Sequence, residues 1–219
     1  MEPCESGESV GPGGLMGPGG PGQGLLQEGI NEVIATTHYN AAPVGIINRN
    51  GKLHMVLFHG SHTEENVRRD GWVVANFIFD PLIYVKTAFE DLPEDEIHFV
   101  EEIIGGNIAG TMGGSIDGLT VHRLEGVEAW GAYRCTVERS TNEALIVSLT
   151  PIYEEITGLR LHPVNRGFSS VIEATVHATR YVRNNDPRLR ELIEHHAGLV
   201  RKCGGERDVE AIEYLLKKL

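Results

Sequence analysis

Residues 71–80 read Gly-Trp-Val-Val-Ala-Asn-Phe-Ile-Phe-Asp. This run is apolar almost without alternation and rich in valine, isoleucine and phenylalanine, the pattern of a strand covered on both faces. It therefore demands neighbours on either side and predicts a buried central strand. A second apolar run, His54 to Phe58, precedes it, and only the polar segment Gly-Ser-His-Thr-Glu-Glu-Asn, residues 60–66, and a few more residues lie between the two. The chain leaves one strand, exposes Ser61, His62 and Thr63 together, and returns at once.

Other strand signals surround this pair. Residues 31–39 and 43–59 read as strands, with Asn50-Gly51 as a type I′ hairpin turn. Residues 129–156 read as two further strands joined near Ser140-Thr141-Asn142. The total is about six strands by residue 155, antiparallel with short links. That favours a closed or split barrel over a doubly wound sheet. Residues 81–93 suit a helix, whereas the glycines scattered through 98–123 predict loops with short elements.

The last quarter changes period. Phe168, Val171, Ile172, Ala174, Thr175 and Ala178 form a helical stripe. Asp186 and Pro187 open a second helix that Gly204 stops, and a third follows with an acidic start and Lys217-Lys218 at its end. The expected class is mainly β with α (α+β). It divides into a disordered Gly/Pro-rich tail over 1–24, a barrel domain over 25–163 and a C-terminal helical region over 164–219.

Charge and cysteines narrow the function. The 19 basic residues against 31 acidic ones give a net charge of -12. With no basic stripe, nucleic acid is not an expected partner. No apolar run reaches the length of a membrane span, and Glu2, Glu5 and Glu8 stand where a signal peptide would be basic. A cytoplasmic protein with no membrane partner is expected. Cys4, Cys135 and Cys203 are odd in number and far apart, so neither a disulfide framework nor a zinc pattern is expected. Cys135 reads as a small core residue. Among ten histidines, His59 with His62 and Glu173 with His177 could each share a face, but neither pair has a third ligand at a convincing spacing. No metal is expected, and Glu173-His177 reads as a hydrogen bond on a helix face. No nucleophile-elbow, Walker or dinucleotide fingerprint is present.

Ser61 as an N-cap, Glu64 three residues on as its capping-box partner and Gly71 at the stop explain a two-turn helix without any ligand. The same helix end, with its free amides and hydroxyls, also suits a phosphate, provided that Glu64 and Glu65 face away. Upstream, Thr36, Thr37 and Asn40 precede Ala41, Ala42, Pro43 and Gly45, small residues that allow close approach to a flat ligand. Read alone, Pro43 there predicts a bulged edge strand.

Three segments, in order and spacing, resemble flavin-reductase-like proteins of the FMN-binding split-barrel superfamily: Asn40-Ala41-Ala42-Pro43, Ser61-His62-Thr63-Glu64-Glu65-Asn66, and Gly71-Trp72 through Asn76. The similarity covers about residues 30 to 150. The chain looks especially like a branch with an added C-terminal helical segment, marked by Asn165-Arg166, Val171 to Ala174 and Thr179-Arg180. The resemblance implies an FMN-binding split barrel, with the flavin held between two barrels of a homodimer. Thr36, Thr37, Asn40, Ala41, Ala42 and Pro43 would line the ring and ribityl chain. Ser61, His62, Thr63 and Asn66 would hold the phosphate.

His62 departs from the Lys or Arg common at its position, so a further cation is expected from Arg68, Arg69, Arg166 or Arg180. The implied activity is oxidoreductase chemistry of flavin-reductase type, with NAD(P)H or another electron donor as partner. A non-catalytic flavin or deazaflavin module and a cofactor-free dimeric interaction protein stay open as alternatives.

Overall fold

The structure, a computed structural model, describes residues 24–92, 96–105 and 118–219. The expected tail up to residue 23 and the glycine-rich stretch beyond Gly105 lie outside the described residues. The elements in chain order are β1 (Gly29–Thr37), β2 (Asn40–Arg49), β3 (Lys52–Phe58), α1 (His62–Asp70), β4 (Trp72–Phe77) and α2 (Pro81–Phe89). These are followed by β5 (Phe99–Ile104), β6 (Leu119–Leu124), β7 (Ala129–Ser140) and β8 (Ala144–Ile156). The chain ends with α3 (Arg166–Asn184), α4 (Pro187–Cys203) and α5 (Glu206–Lys217).

The six strands expected from the sequence are the six strands of a closed antiparallel barrel, in the order β1-β2-β3-β8-β7-β4. Asn50 and Gly51, with φ of 53° and 76°, make the β2–β3 turn with both central residues left-handed, as a type I′ turn requires. The region expected to hold loops and short elements supplies two more strands, β5 and β6, which pair with each other as a separate sheet.

The reading of residues 71–80 is explained by what covers them. Val73 and Ala75 of β4 pack inside the barrel with Val33, Ala35, Met55, Tyr133, Leu145 and Val147. Trp72 and Val74 face the other way, into a second core with Ile34, Tyr84, Val121 and Trp130. A strand with two buried faces cannot alternate. Burying each such valine fully is worth roughly 1.5–3 kcal/mol.

The barrel closes through a short seam. β1 pairs with β4 only at Ile34↔Asn76, Ala35↔Ala75 and Thr36↔Val74. The Asn76 side chain reinforces it: Nδ2 donates to the Ile34 carbonyl at 2.9 Å and to Thr36 Oγ1 at 3.0 Å, while Oδ1 accepts from the Leu124 amide at 2.8 Å. One buried amide thus joins β4, β1 and β6.

The expected bulge at Pro43 is absent. The β1–β2 register runs unbroken from Gly29↔Asn48 to Thr37↔Asn40. Pairing of β2 with β3 begins only at Ile46, so Pro43 lies where β2 has a neighbour on one side, a place that tolerates a missing amide.

The C-terminal helices start and stop where the sequence predicts. Asp186 caps α4 by accepting from the Arg188 amide at 2.9 Å. Gly204 ends α4 at φ -80°, so its backbone does not require glycine. Space does: a Cβ on Gly204 would stand 2.8 Å from both the Val200 carbonyl oxygen and the Asp208 Cβ. Helices α2 to α5 share a third core built from Leu82, Val85, Val171, Ala178, Ile193 and Ile212. Among the described residues no helix is long and apolar enough to cross a membrane.

Candidate functional site

The polar segment folds as the helix α1. Ser61 is its N-cap: Oγ accepts from the Glu64 amide at 3.2 Å and donates to the Phe58 carbonyl at 2.9 Å. Gly71 closes the helix at φ 70°, its amide bonded to the Val67 carbonyl. This left-handed geometry is the one glycine adopts freely.

The capping box is only half made. The buried Glu64 carboxylate turns to Arg68, one helical turn on, and to His59 Nδ1 at 3.4 Å, instead of reaching back to the cap. The hydrogen bond from Arg68 pulls the Glu64 carboxyl below its ordinary range. This negative charge is therefore neutralised and turned from the helix end, whereas Glu65, against expectation, stays exposed and lines the groove described below.

Four polar side chains fasten α1 to the end of the β1–β2 hairpin. Asn40 Nδ2 donates to Thr63 Oγ1 at 2.9 Å. Asn66 Nδ2 donates to Thr37 Oγ1 at 3.1 Å and to its carbonyl at 3.3 Å. Thr36 is buried and gives its hydroxyl proton to the His122 carbonyl at 2.5 Å, while accepting from Asn76. The Thr36 hydroxyl thus holds the seam together.

Beside these ties runs a groove. Its open part, about 380 Å³, is lined by His38, Tyr39, Asn40, His62, Glu65, Asn66 and Arg69. Through the shared Tyr39, Asn40 and His62 it continues into a narrower recess of about 110 Å³, walled by Ala41, Leu92, Ile97 and Phe99, with Asp91 at its edge. One end is therefore aromatic and aliphatic and the other is rich in hydrogen-bond donors.

Among the residues predicted from sequence, Asn40, Ala41, His62 and Asn66 line the groove. Thr63 and Thr37 anchor its walls from behind, Ser61 caps the helix, and Ala42 and Pro43 continue β2 beyond it. Of the four candidate cations, Arg69 lines the groove, with Nη2 3.0 Å from Asn66 Oδ1 and 2.8 Å from Asp70 Oδ2. Arg68 is engaged by Glu64. Arg166 and Arg180 lie exposed on α3 and do not line the groove. His62 is exposed and sits 3.3 Å from Asp91.

The sequence reading missed an aromatic cluster beside the groove. His38 and Tyr39 form the loop between the paired Thr37 and Asn40. Tyr39 packs on His122 at 4.4 Å and edge-on to Phe99 at 5.8 Å, and Trp72 lies behind at 6.3 Å from His122. His122 is buried with neither ring nitrogen hydrogen-bonded, and burial pushes its pKa down. The only signal in the sequence was the His38-Tyr39 pair between two strand runs; in the structure His38 turns the chain at φ 51°, a conformation uncommon for a non-glycine residue. A histidine-tyrosine pair closing so tight a hairpin is the kind of exception that marks a site.

The comparisons with known proteins agree with this architecture. Residues 31–158 match the N-terminal domain of the family described as protein of unknown function (DUF447), and residues 165–217 match a second DUF447 segment. The chain belongs to the DUF447 family. A DUF447 protein, MM1853 from Methanosarcina mazei, solved in an FMN-bound form, is 34% identical. It superposes with a TM-score of 0.75 over 88% of this chain and 96% of its own. The uncharacterized protein MJ1453 of Methanocaldococcus jannaschii is 24% identical, over 87% of this chain and 98% of its own. The resemblance to an FMN-binding barrel branch with added C-terminal helices is thus borne out at the level of family and fold.

Proposed function

We propose that this DUF447 chain binds FMN in the groove between α1 and the β1–β2 hairpin and acts as a flavin-dependent oxidoreductase of flavin-reductase type. The observation that carries the reading is the division of the groove. An apolar, partly aromatic recess at Ala41, Leu92, Ile97, Phe99 and Tyr39 meets a polar end at Asn40, His62, Asn66 and Arg69. A flat ring with an anionic tail needs both in that order. The FMN-bound state of the 34% identical Methanosarcina mazei protein supports the same assignment.

The donor set fits the group. The amides of His62 and Thr63 open α1 and have no partner within the helix, and the helix end carries partial positive charge. The Arg69 guanidinium lines the same end, its charge shared with Asp70 and set beside the Glu65 carboxylate, and the Asn40 and Asn66 amides add hydrogen bonds along the groove. When bound, FMN supplies the hydride-transfer chemistry. The chain binds and orients it, with Asn40 held by Thr63 and Asn66 held by Thr37. The groove opens to solvent in the single chain, so a second copy is proposed to close it, with NAD(P)H or another donor meeting the exposed ring face. Arg166 and Arg180, exposed on α3, are the residues proposed to complete the phosphate site across that dimer.

Absorption spectroscopy of the purified protein, titration with FMN and mass measurement of the released ligand test the binding. Addition of NADH or NADPH under anaerobic conditions tests the chemistry: bleaching of the flavin bands is expected. A chain that binds no added FMN overturns the whole reading. A bound flavin inert to both reductants overturns the enzymatic half and leaves a flavin-binding module. Sedimentation with and without FMN tests the dimer.

A further inference from the structure

Away from the groove, the helical region brings together three side chains that the sequence keeps apart. Glu173 and His177 lie one turn apart on α3, and His196 reaches them from α4. One ligand atom from each lies within 4.8 Å of the other two. The imidazoles are tilted against each other with centroids 5.7 Å apart. The sequence reading found the Glu173-His177 pair but no third ligand. His196 is nineteen residues downstream of His177, and only the antiparallel packing of α3 on α4 makes them neighbours.

Two orphaned groups point to a ligand. His177 Nδ1 and His196 Nδ1 are both buried, and neither has a hydrogen-bond partner among the described residues. Buried polar atoms are nearly always satisfied, and an unsatisfied pair on two imidazoles clustered with a carboxylate calls for a missing partner.

We propose that Glu173, His177 and His196 form a binding site for a divalent transition metal, zinc by ligand type, with water in the fourth position. Two imidazoles and a carboxylate are a borderline-soft set that suits zinc better than calcium or magnesium. Ligand distances of about 2.0–2.2 Å require ligand atoms roughly 3.3 Å apart. The present spacing, within 4.8 Å, is wider than this by up to about 1.5 Å, so binding draws the three side chains together. The metal pins α3 to α4.

The test uses the full chain, freed of any affinity tag and of metal, with Zn²⁺ followed by calorimetry and Co²⁺ by its visible absorption. One Zn²⁺ per chain at this site, a Co²⁺ spectrum of low coordination number and a higher melting temperature with Zn²⁺ are expected. His177→Gln and His196→Gln should each weaken Zn²⁺ binding at least tenfold. Glu173→Gln, on an exposed side chain, gives the same direction without disturbing the core. FMN titration should not change in any of the three, which separates this site from the flavin groove. Zn²⁺ affinity and stoichiometry that are the same in the His177→Gln/His196→Gln double variant as in the parent would overturn the proposal, as would failure of the parent to bind Zn²⁺ at millimolar concentration.

Discussion

Asn40 Nδ2 stands 2.9 Å from Thr63 Oγ1, so the second strand of the barrel and the first turn of α1 are held by one hydrogen bond at the mouth of the groove. Asn40 also lines both parts of that groove. Replacing it removes a wall group and loosens the helix end together. Asn40→Ala is expected to weaken FMN binding about tenfold, equivalent to about 1.4 kcal/mol. Thr63→Val, which keeps the shape and releases the Asn40 side chain, should have a smaller effect in the same direction. Fluorescence titration of FMN into both variants measures this. Equal affinity in Asn40→Ala and the parent would remove Asn40 from the site.

The cap made by Ser61 can be separated from the phosphate contact proposed for its hydroxyl. As an N-cap it stabilises α1, and alanine there should cost about 1 kcal/mol. Glycine at an N-cap costs only a few tenths, because the freed amide is then solvated. Ser61→Gly should therefore leave the urea midpoint nearly unchanged. If the hydroxyl also meets the phosphate, Ser61→Gly loses FMN affinity as fully as Ser61→Ala does, and that is the expected result. Affinity that tracks stability across the two variants would reduce Ser61 to a cap.

Asn76 is the stability hot spot of the barrel seam. It satisfies the Ile34 carbonyl, the Thr36 hydroxyl and the Leu124 amide, and it is fully buried. Leucine is close to it in size but leaves those groups unpaired in a dry environment. Asn76→Leu is expected to destabilise the fold by at least about 2 kcal/mol, since each buried polar group left unsatisfied costs roughly 1–3 kcal/mol. Chemical denaturation with an unchanged slope would read this directly.

Acid should act in two steps. His122 and His196 are both held below the ordinary imidazole value of 6.5, chiefly by burial. Below pH 6.5 the unfolded chain binds protons that the folded chain refuses, so stability falls as pH drops from there until the folded groups also titrate. The lowered carboxyls of Glu64 and Asp70 add a second loss, beginning below their ordinary values of 4.5 and 3.8 and continuing as pH falls through their folded values. Melting temperature against pH should show both slopes. His122→Phe should flatten the upper one, and an unchanged upper slope would acquit His122.

The sequence alone carried the six barrel strands and the helices. β4 announced itself because two-sided burial forbids alternation, and the Asn50-Gly51 turn because few other pairs accept two left-handed residues. The caps Ser61, Asp186 and Gly71 were legible because helix ends demand short polar side chains or free backbone. All of these are local requirements, met by residues within a few positions of each other. The family resemblance added the groove's position through three short segments.

What the tertiary structure decided is non-local. The strands β5 and β6 hid among glycines, because six-residue pairs carry little periodic signal. The Glu64 carboxylate chose Arg68 and His59 over the cap, a competition that only packing resolves. Tyr39 met His122 across 83 residues, and His196 met Glu173 and His177 only once two helices lay antiparallel. A chain can encode its turns and its buried faces in neighbouring residues. Which distant side chains converge depends on how the seam closes and how the helices dock, and that convergence set the wall of the groove and the proposed metal site.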